Sequence, residues 1–331
     1  AMPCNEEFFY NTKGRYGLDD KSVMSNGAFF IRQWFYDPYG HDNFVYMQRN
    51  LANDNHDKIY PSFLNFYIKD TKEESESSFW SGDSDVLLTF INNKKDTKDN
   101  EVRQYDNYTL GIIVNSEDPS YSNANIRKAL AYGIDKSSFE GNLSDDLKPA
   151  YGIIPPGISF LNKSYRELNS ERTAAVTSDG KAIDYNPELA VSCFEAGMAS
   201  MDKKSLDNIK ILVPENLMDT EYLHLVTQNW QTLFGFYIGI EEVPEDEYYD
   251  RLANKKYTMA VYPLTGDYNS PSAVLEKFQS GYNDIYYSNS ELDNVIKELK
   301  TLDNYNNGVE TYLKAEQIIH NDFCFIPVFY K

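Results

Sequence analysis

Apolar and polar positions change rhythm near residue 109. Before it, apolar residues come in short runs. Ala28–Trp34 reads as a strand, and Leu64, Phe66 and Ile68 alternate on one face of a second, Leu64–Ile68. Glu73–Trp80 reads as a short helix, Ser81-Gly82-Asp83-Ser84-Asp85 as a turn, and Val86–Phe90 as a buried strand. Residues 1–25 are polar and turn-like, and Asn92–Asn107 is charged enough to predict an exposed loop or a partly helical segment.

From Thr109 onward strands alternate with helices. Thr109–Val114, Ile209–Val213, Tyr237–Val243, Tyr257–Tyr262 and Phe325–Tyr330 carry strand patterns. Ile126, Ala129, Leu130 and Gly133 mark one helical face, with Asn123 or Asn125 as the cap. Pro187 opens a helix whose face holds Leu189, Cys193 and Ala196, and Gly197 predicts its end. Tyr222, Leu225, Val226, Trp230 and Leu233 form a core-facing stripe. Val274, Leu275 and Phe278 follow Pro271 on another helix, and Tyr312, Ala315 and Ile319 share the last. The alternation implies an α/β lobe from about 109 to 324.

Length changes the picture: 331 residues exceed the roughly 250–300 at which one core stops growing, so two lobes are expected. Net charge is −20, from 31 basic and 51 acidic residues, which argues against nucleic acid and anionic membrane surfaces as partners. Cys4, Cys193 and Cys324 are odd in number and widely spaced, so they encode no disulfide framework and no zinc site. His41, His56, His224 and His320 form no metal-ligating pair. No cofactor or metal is expected. No apolar run is long enough to span a membrane, and Ala1-Met2-Pro3-Cys4-Asn5 leads into polar sequence without a legible export signal.

Catalytic signatures are absent: there is no G-x-S-x-G elbow, phosphate loop or dinucleotide fingerprint. Carboxylate pairs such as Asp19/Asp20, Asp145/Asp146 and Glu241/Glu242 are expected by chance among so many acids. A carbohydrate-active site is the enzyme reading left open, because 27 Tyr and 19 Phe supply rings for stacking on sugars. One segment has mechanical content. The strand Tyr257–Pro263 runs into Leu264-Thr265-Gly266-Asp267-Tyr268-Asn269-Ser270-Pro271, and ligands of open α/β lobes bind beyond the carboxyl ends of strands. Asp267, beside a glycine that permits close approach, suits an ammonium group; the same residues equally make a turn and a helix cap.

Taken in chain order, several segments resemble the extracellular solute-binding proteins of ABC importers that take oligopeptides, dipeptides or nickel (solute-binding family 5). Asn26-Gly27-Ala28-Phe29-Phe30 with Trp34 and Arg49-Asn50 resembles a family strand pair. Phe79–Asp85 and, most specifically, Asn125-Ile126-Arg127-Lys128-Ala129-Leu130-Ala131-Tyr132-Gly133-Ile134-Asp135-Lys136 resemble further elements of the family. Pro149–Gly152 with Pro155-Pro156-Gly157, Asp184–Gly197 and Tyr257–Pro271 complete the series.

The resemblance implies a type II periplasmic-binding-protein-like α/β fold with one complete lobe and part of a second. Residues 1–108 would be partial lobe I, 109–324 the α/β lobe, and 325–331 a strand returning to lobe I. Family members are longer, so an N-terminal portion is expected to precede this segment. The implied role is non-enzymatic: binding peptides between lobes outside the cell and delivering them to the permease subunits. The protein would be a monomer, held to the membrane only through a lipid anchor absent from this sequence. Other solutes, an oligosaccharide or a metal chelate, stay open. By resemblance the ligand site comprises Asp267, Gly266, Thr265, Leu264, Tyr268 and Tyr108, with Asp267 taking a peptide's α-ammonium. Leu264 and Val261 stand where some relatives carry Trp and Arg.

Overall fold

The structure, a computed structural model, describes residues 4–38, 42–88, 101, 103, 105–115, 117–203, 206, 209–215, 217–281, 285, 287–300 and 305–331. The chain divides into two compact units, Ala1–Ile91 and Asn92–Lys331.

The first unit opens with helix α1 (Glu6–Asn11), in a stretch whose polarity predicts turns. Asn5 accepts a hydrogen bond from Phe8 N–H at 2.8 Å, and two acids sit in the first turn, so capping and helix dipole form it without any buried face. Strands β1 (Phe29–Phe35), β2 (Asn43–Arg49) and β3 (Phe63–Ile68) form an antiparallel sheet in that order. Its cross-strand glue is aromatic: Phe35, Phe44 and Tyr46 stack at successive centroid distances of 5.7 and 4.3 Å, and Tyr67 meets Tyr46 edge-on at 5.8 Å. Asn50 is buried and donates to the carbonyls of Ser25 and Gly27, which ties the Asn26-Gly27 turn to the end of β2. Helix α2 (Lys72–Trp80) is capped by Thr71. The buried strand expected at Val86–Phe90 is not formed: Val86 and Leu88 are 74% and 87% exposed, and residues 89 and 90 lie outside the described residues. An apolar run becomes a strand only where a neighbour takes its hydrogen bonds.

The second unit begins with β4 (Thr109–Val114), α3 (Ala124–Tyr132), β5 (Lys148–Pro149), and a small hairpin of β6 (Ser159–Phe160) and β7 (Lys163–Ser164). Helices α4 (Tyr165–Leu168), α5 (Glu171–Ala174) and α6 (Pro187–Ser200) follow, then β8 (Lys210–Pro214), α7 (Glu221–Phe234), β9 (Gly239–Val243) and α8 (Glu245–Ala253). The unit ends with β10 (Met259–Leu264), α9 (Pro271–Leu275), α10 (Ser290–Leu299), α11 (Tyr305–Asp322) and β11 (Phe325–Tyr330).

Six strands pair in the order β5-β11-β4-β10-β8-β9. β8 is parallel to β9 and β10, whereas β4 is antiparallel to β10 and β11. The last strand, expected to leave for the other lobe, is bonded to β4 and β5 inside this sheet, and all six of its residues are buried. An apolar run this continuous needs cover on both faces, which the sheet interior supplies.

Each face has its own core. Leu110, Ile112 and Val114 of β4 pack with Ile126, Leu130, Val226 and Trp230 of α3 and α7. Ile113 faces the opposite side with Tyr248, Leu275, Val295 and Ile319. Gly111 is required there, since a Cβ would lie 2.2 Å from Cζ of Phe325. The α3 cap is Asn123, which accepts from Asn125 N–H at 2.9 Å. Gly197 does not end α6, which continues to Ser200. A Cβ at 197 would lie 2.7 Å from Cδ1 of Ile126, so this glycine marks where α6 packs on α3.

Candidate functional site

Strand polarity gathers the candidate residues at one end of the sheet. β10 delivers Leu264 opposite Thr109 at the start of β4, so Thr265 and Tyr108 follow at the same edge. Tyr108 exchanges main-chain hydrogen bonds of 2.9 Å with Lys331, extending the β4–β11 ladder, and its ring packs on the core. Leu264 is fully buried, so its side chain belongs to the core and its main chain borders the loop.

Beyond Leu264 the chain turns tightly. A Cβ on Gly266 would stand 2.8 Å from the Tyr268 carbonyl oxygen and 2.9 Å from Cβ of Ala273, so the close approach demands glycine. Asn269 Oδ1 accepts from Ser159 N–H at 2.7 Å, and Ser270 caps α9 with Pro271 in its first turn. These contacts fix the loop and leave Asp267 and Tyr268 outward. The Asp267 side chain is 76% exposed, and Tyr268 is 55% exposed. An open cavity of about 420 Å³ adjoins Asp267 and is lined by Ala273, Glu276, Lys277, Gln279, Ser280 and Lys300 among others. Lys277 Nζ donates to Asp267 Oδ1 at 2.7 Å.

Two polar assemblies elsewhere in this unit escape spacing rules. Glu316, on the inner face of α11, is fully buried. Arg166 meets it through two contacts, Nη2 to Oε1 at 2.5 Å and Nη1 to Oε2 at 3.1 Å. Ile153 and Ile154 N–H donate to Oε1 at 2.7 and 3.1 Å. Burial pushes the Glu316 carboxyl upward, but the Arg166 charge and hydrogen bonds outweigh it and hold the group below the usual carboxylate range. The legible signal is a glutamate inside the apolar stripe Tyr312, Ala315, Ile319. The second assembly lines a small cavity of about 20 Å³, room for one water, among Lys136, Tyr151, Asp184, His320 and Phe325. Lys136 Nζ lies 4.9 Å from the centre of the Tyr151 ring, and Arg172 stacks on that ring at 3.5 Å. Burial pushes the Lys136 amine down to about 7 and the His320 ring down to about 4. His320 Nε2 is buried without a hydrogen-bond partner among the described residues. No group of acidic, His and Cys side chains among the described residues is arranged to hold a metal.

Known proteins place the chain. It is 23% identical to the oligopeptide-binding protein OppA of Bacillus subtilis over 343 residues, covering 99% of this chain and 60% of that protein. The dipeptide-binding protein DppE of the same organism is 22% identical, covering 99% of this chain and 59% of DppE. The chain therefore spans about 60% of the length of these relatives. Among solved structures, the pheromone receptor PrgZ superposes with a TM-score of 0.67 at 20% identity, covering 100% of this chain and 64% of PrgZ. Peptide-bound OppA of Listeria monocytogenes gives 0.64 at 20% identity, covering 99% and 63%. The fold is thereby the α/β type II periplasmic-binding-protein fold. Residues 76–285, from within α2 to beyond α9, match the middle part of one family, and the chain belongs to the bacterial extracellular solute-binding proteins, family 5.

Proposed function

We propose that the chain is the binding component of an ABC importer, taking up peptides outside the cell and delivering them to the permease without chemistry on them. The observation that carries this reading is the loop after β10: an exposed carboxylate, Asp267, stands beside an open cavity at the end of the sheet. The names of its relatives, oligopeptide-binding and dipeptide-binding, support the same ligand class. Asp267 is the proposed receptor for a peptide ammonium. Gly266 and Thr265 offer main-chain groups at the same edge, with Tyr268 as an exposed ring and Tyr108 on the neighbouring strand. Attachment by a lipid anchor and a monomeric state complete the proposal.

A thermal-shift and calorimetric screen of short peptides against oligosaccharides tests it. Peptides are expected to raise Tm and oligosaccharides are not; the reverse pattern overturns the reading. Asp267→Ala leaves the Lys277 ammonium without that carboxylate to face a peptide's ammonium, so it is expected to weaken binding of free-amine peptides several-fold, and an unchanged titration removes Asp267 from the site.

A further inference from the structure

The receptor carboxylate already has an ammonium on it. Lys277 donates from Nζ to Asp267 Oδ1 at 2.7 Å, and its side chain is only 11% exposed although Asp267 is 76% exposed. The lysine is held by its surroundings. It lies in the turn that continues α9, between Leu275 and Phe278, both essentially fully buried in the core. Phe278 is wedged edge-on against Phe325 at 5.7 Å. The stem of Lys277 is thus enclosed while its head is directed at Asp267. The rest of the cavity is charge-balanced too, because Lys300 Nζ stands 3.3 Å from Glu276 Oε1. Among the described residues, four charged side chains line the space, two acids and two bases, each acid beside a base.

This arrangement changes what the site selects. An exposed, unaccompanied carboxylate attracts a peptide ammonium; a carboxylate with a fixed ammonium has little net charge to offer, and the incoming cation also meets repulsion from Lys277. Resting on the peptide-binding reading above, we infer that Lys277 is a specificity-determining residue, a built-in ammonium that occupies the Asp267 receptor. The protein then accepts peptides with a blocked N-terminus nearly as well as those with a free one.

The experiment is isothermal titration of trialanine and N-acetyl-trialanine into the 331-residue chain and its Lys277→Met, Lys277→Gln and Asp267→Asn/Lys277→Met variants. Wild type is expected to bind the two peptides with affinities within about threefold. Both single variants expose the carboxylate and should favour the free amine by about tenfold or more, equivalent to about 1.4 kcal/mol. The double variant should return the ratio to near one, which assigns the gain to Asp267. A wild type that already prefers the free amine tenfold, or single variants that bind both peptides with the wild-type ratio, overturns the inference and leaves peptide binding standing. Binding of neither peptide by wild type, with either single variant equally silent, removes the peptide reading and this inference with it.

Discussion

Arg166→Met removes the cation from the buried pair and leaves the Glu316 carboxylate where no solvent reaches it. Deleting one member of a buried pair costs about 3–5 kcal/mol, largely the desolvation of the charge left behind. Ile153 and Ile154 N–H still donate to the carboxylate, which places the expected loss near about 3 kcal/mol. For a unit of the size of Asn92–Lys331 each kcal/mol moves Tm by roughly 2–4 °C, so Tm should fall by roughly 6–12 °C. The pH dependence is the sharper check. In the wild type the carboxyl lies below its ordinary 4.5, so the stability it contributes is present above that value and lost as pH falls through the lowered one. Without Arg166, burial raises the carboxyl above its ordinary value, and the folded variant takes up a proton before the unfolded one does. The deficit at neutral pH therefore shrinks as pH falls. Glu316→Gln strands Arg166 instead and has no carboxyl at that position, so its deficit should stay flat over the same range. Urea unfolding at about pH 7.5, 6 and 5, followed by far-UV circular dichroism and fluorescence, gives all three curves. A deficit below about 1 kcal/mol for Arg166→Met at pH 7.5, or one that does not narrow toward pH 5, refutes the reasoning.

Two further outcomes are expected. The Lys136 amine falls from an ordinary 10.5 to about 7 in the folded protein, so the lysine costs stability that grows as pH drops from 10.5 toward 7. Lys136→Met should add ~2–4 kcal/mol near pH 7 and flatten that slope; a slope like the wild type's counts against the buried amine. Gly197→Ala should lower Tm: overpacking against Ile126 costs about 1–3 kcal/mol, which outweighs the ~1 kcal/mol that alanine gains in an open helix. A raised Tm would mean the helices separate freely there.

Those elements that bury continuous or strictly periodic apolar sequence were legible from the chain alone. After Thr109, β4 is a continuous apolar run, as is β11, and α7 shows its stripe ending at Trp230 and Leu233, so little else competes with their assignment. α8 was not, because Tyr248 and Leu252 are its only buried residues in a charged segment. α10 was open to the same reading as α7: Leu292, Val295 and Ile296 lie at helical spacing after the Asn289 cap. Gly197 misled because a glycine ends a helix when it is exposed and joins two helices when it is enclosed, and sequence does not distinguish these. At the candidate site, Asp267 and its turn could be picked out because Gly-Asp before Ser-Pro has a local meaning. Lys277 could not, since the ten-residue return that brings it to Asp267 depends on where Phe278 seats in the core. Arg166 and Glu316 are separated by 150 residues, and only the buried position of the glutamate within its stripe hinted at a partner.

The reciprocal hydrogen bonds between Tyr108 and Lys331 have a topological consequence. Between these two residues the chain makes a closed circuit: it departs along β4 and comes home along β11, with its ends held at the spacing of paired strands, about 5 Å. A segment whose ends already touch can be carried within a longer polypeptide without stretching either connection, and its ends can be joined by a few residues at little cost in loop entropy. Residues 108–331 are in that sense a cassette. Asp267 and Lys277 lie at a point far along the circuit from its ends, so changes to the proposed site can be made while the paired ends stay the same.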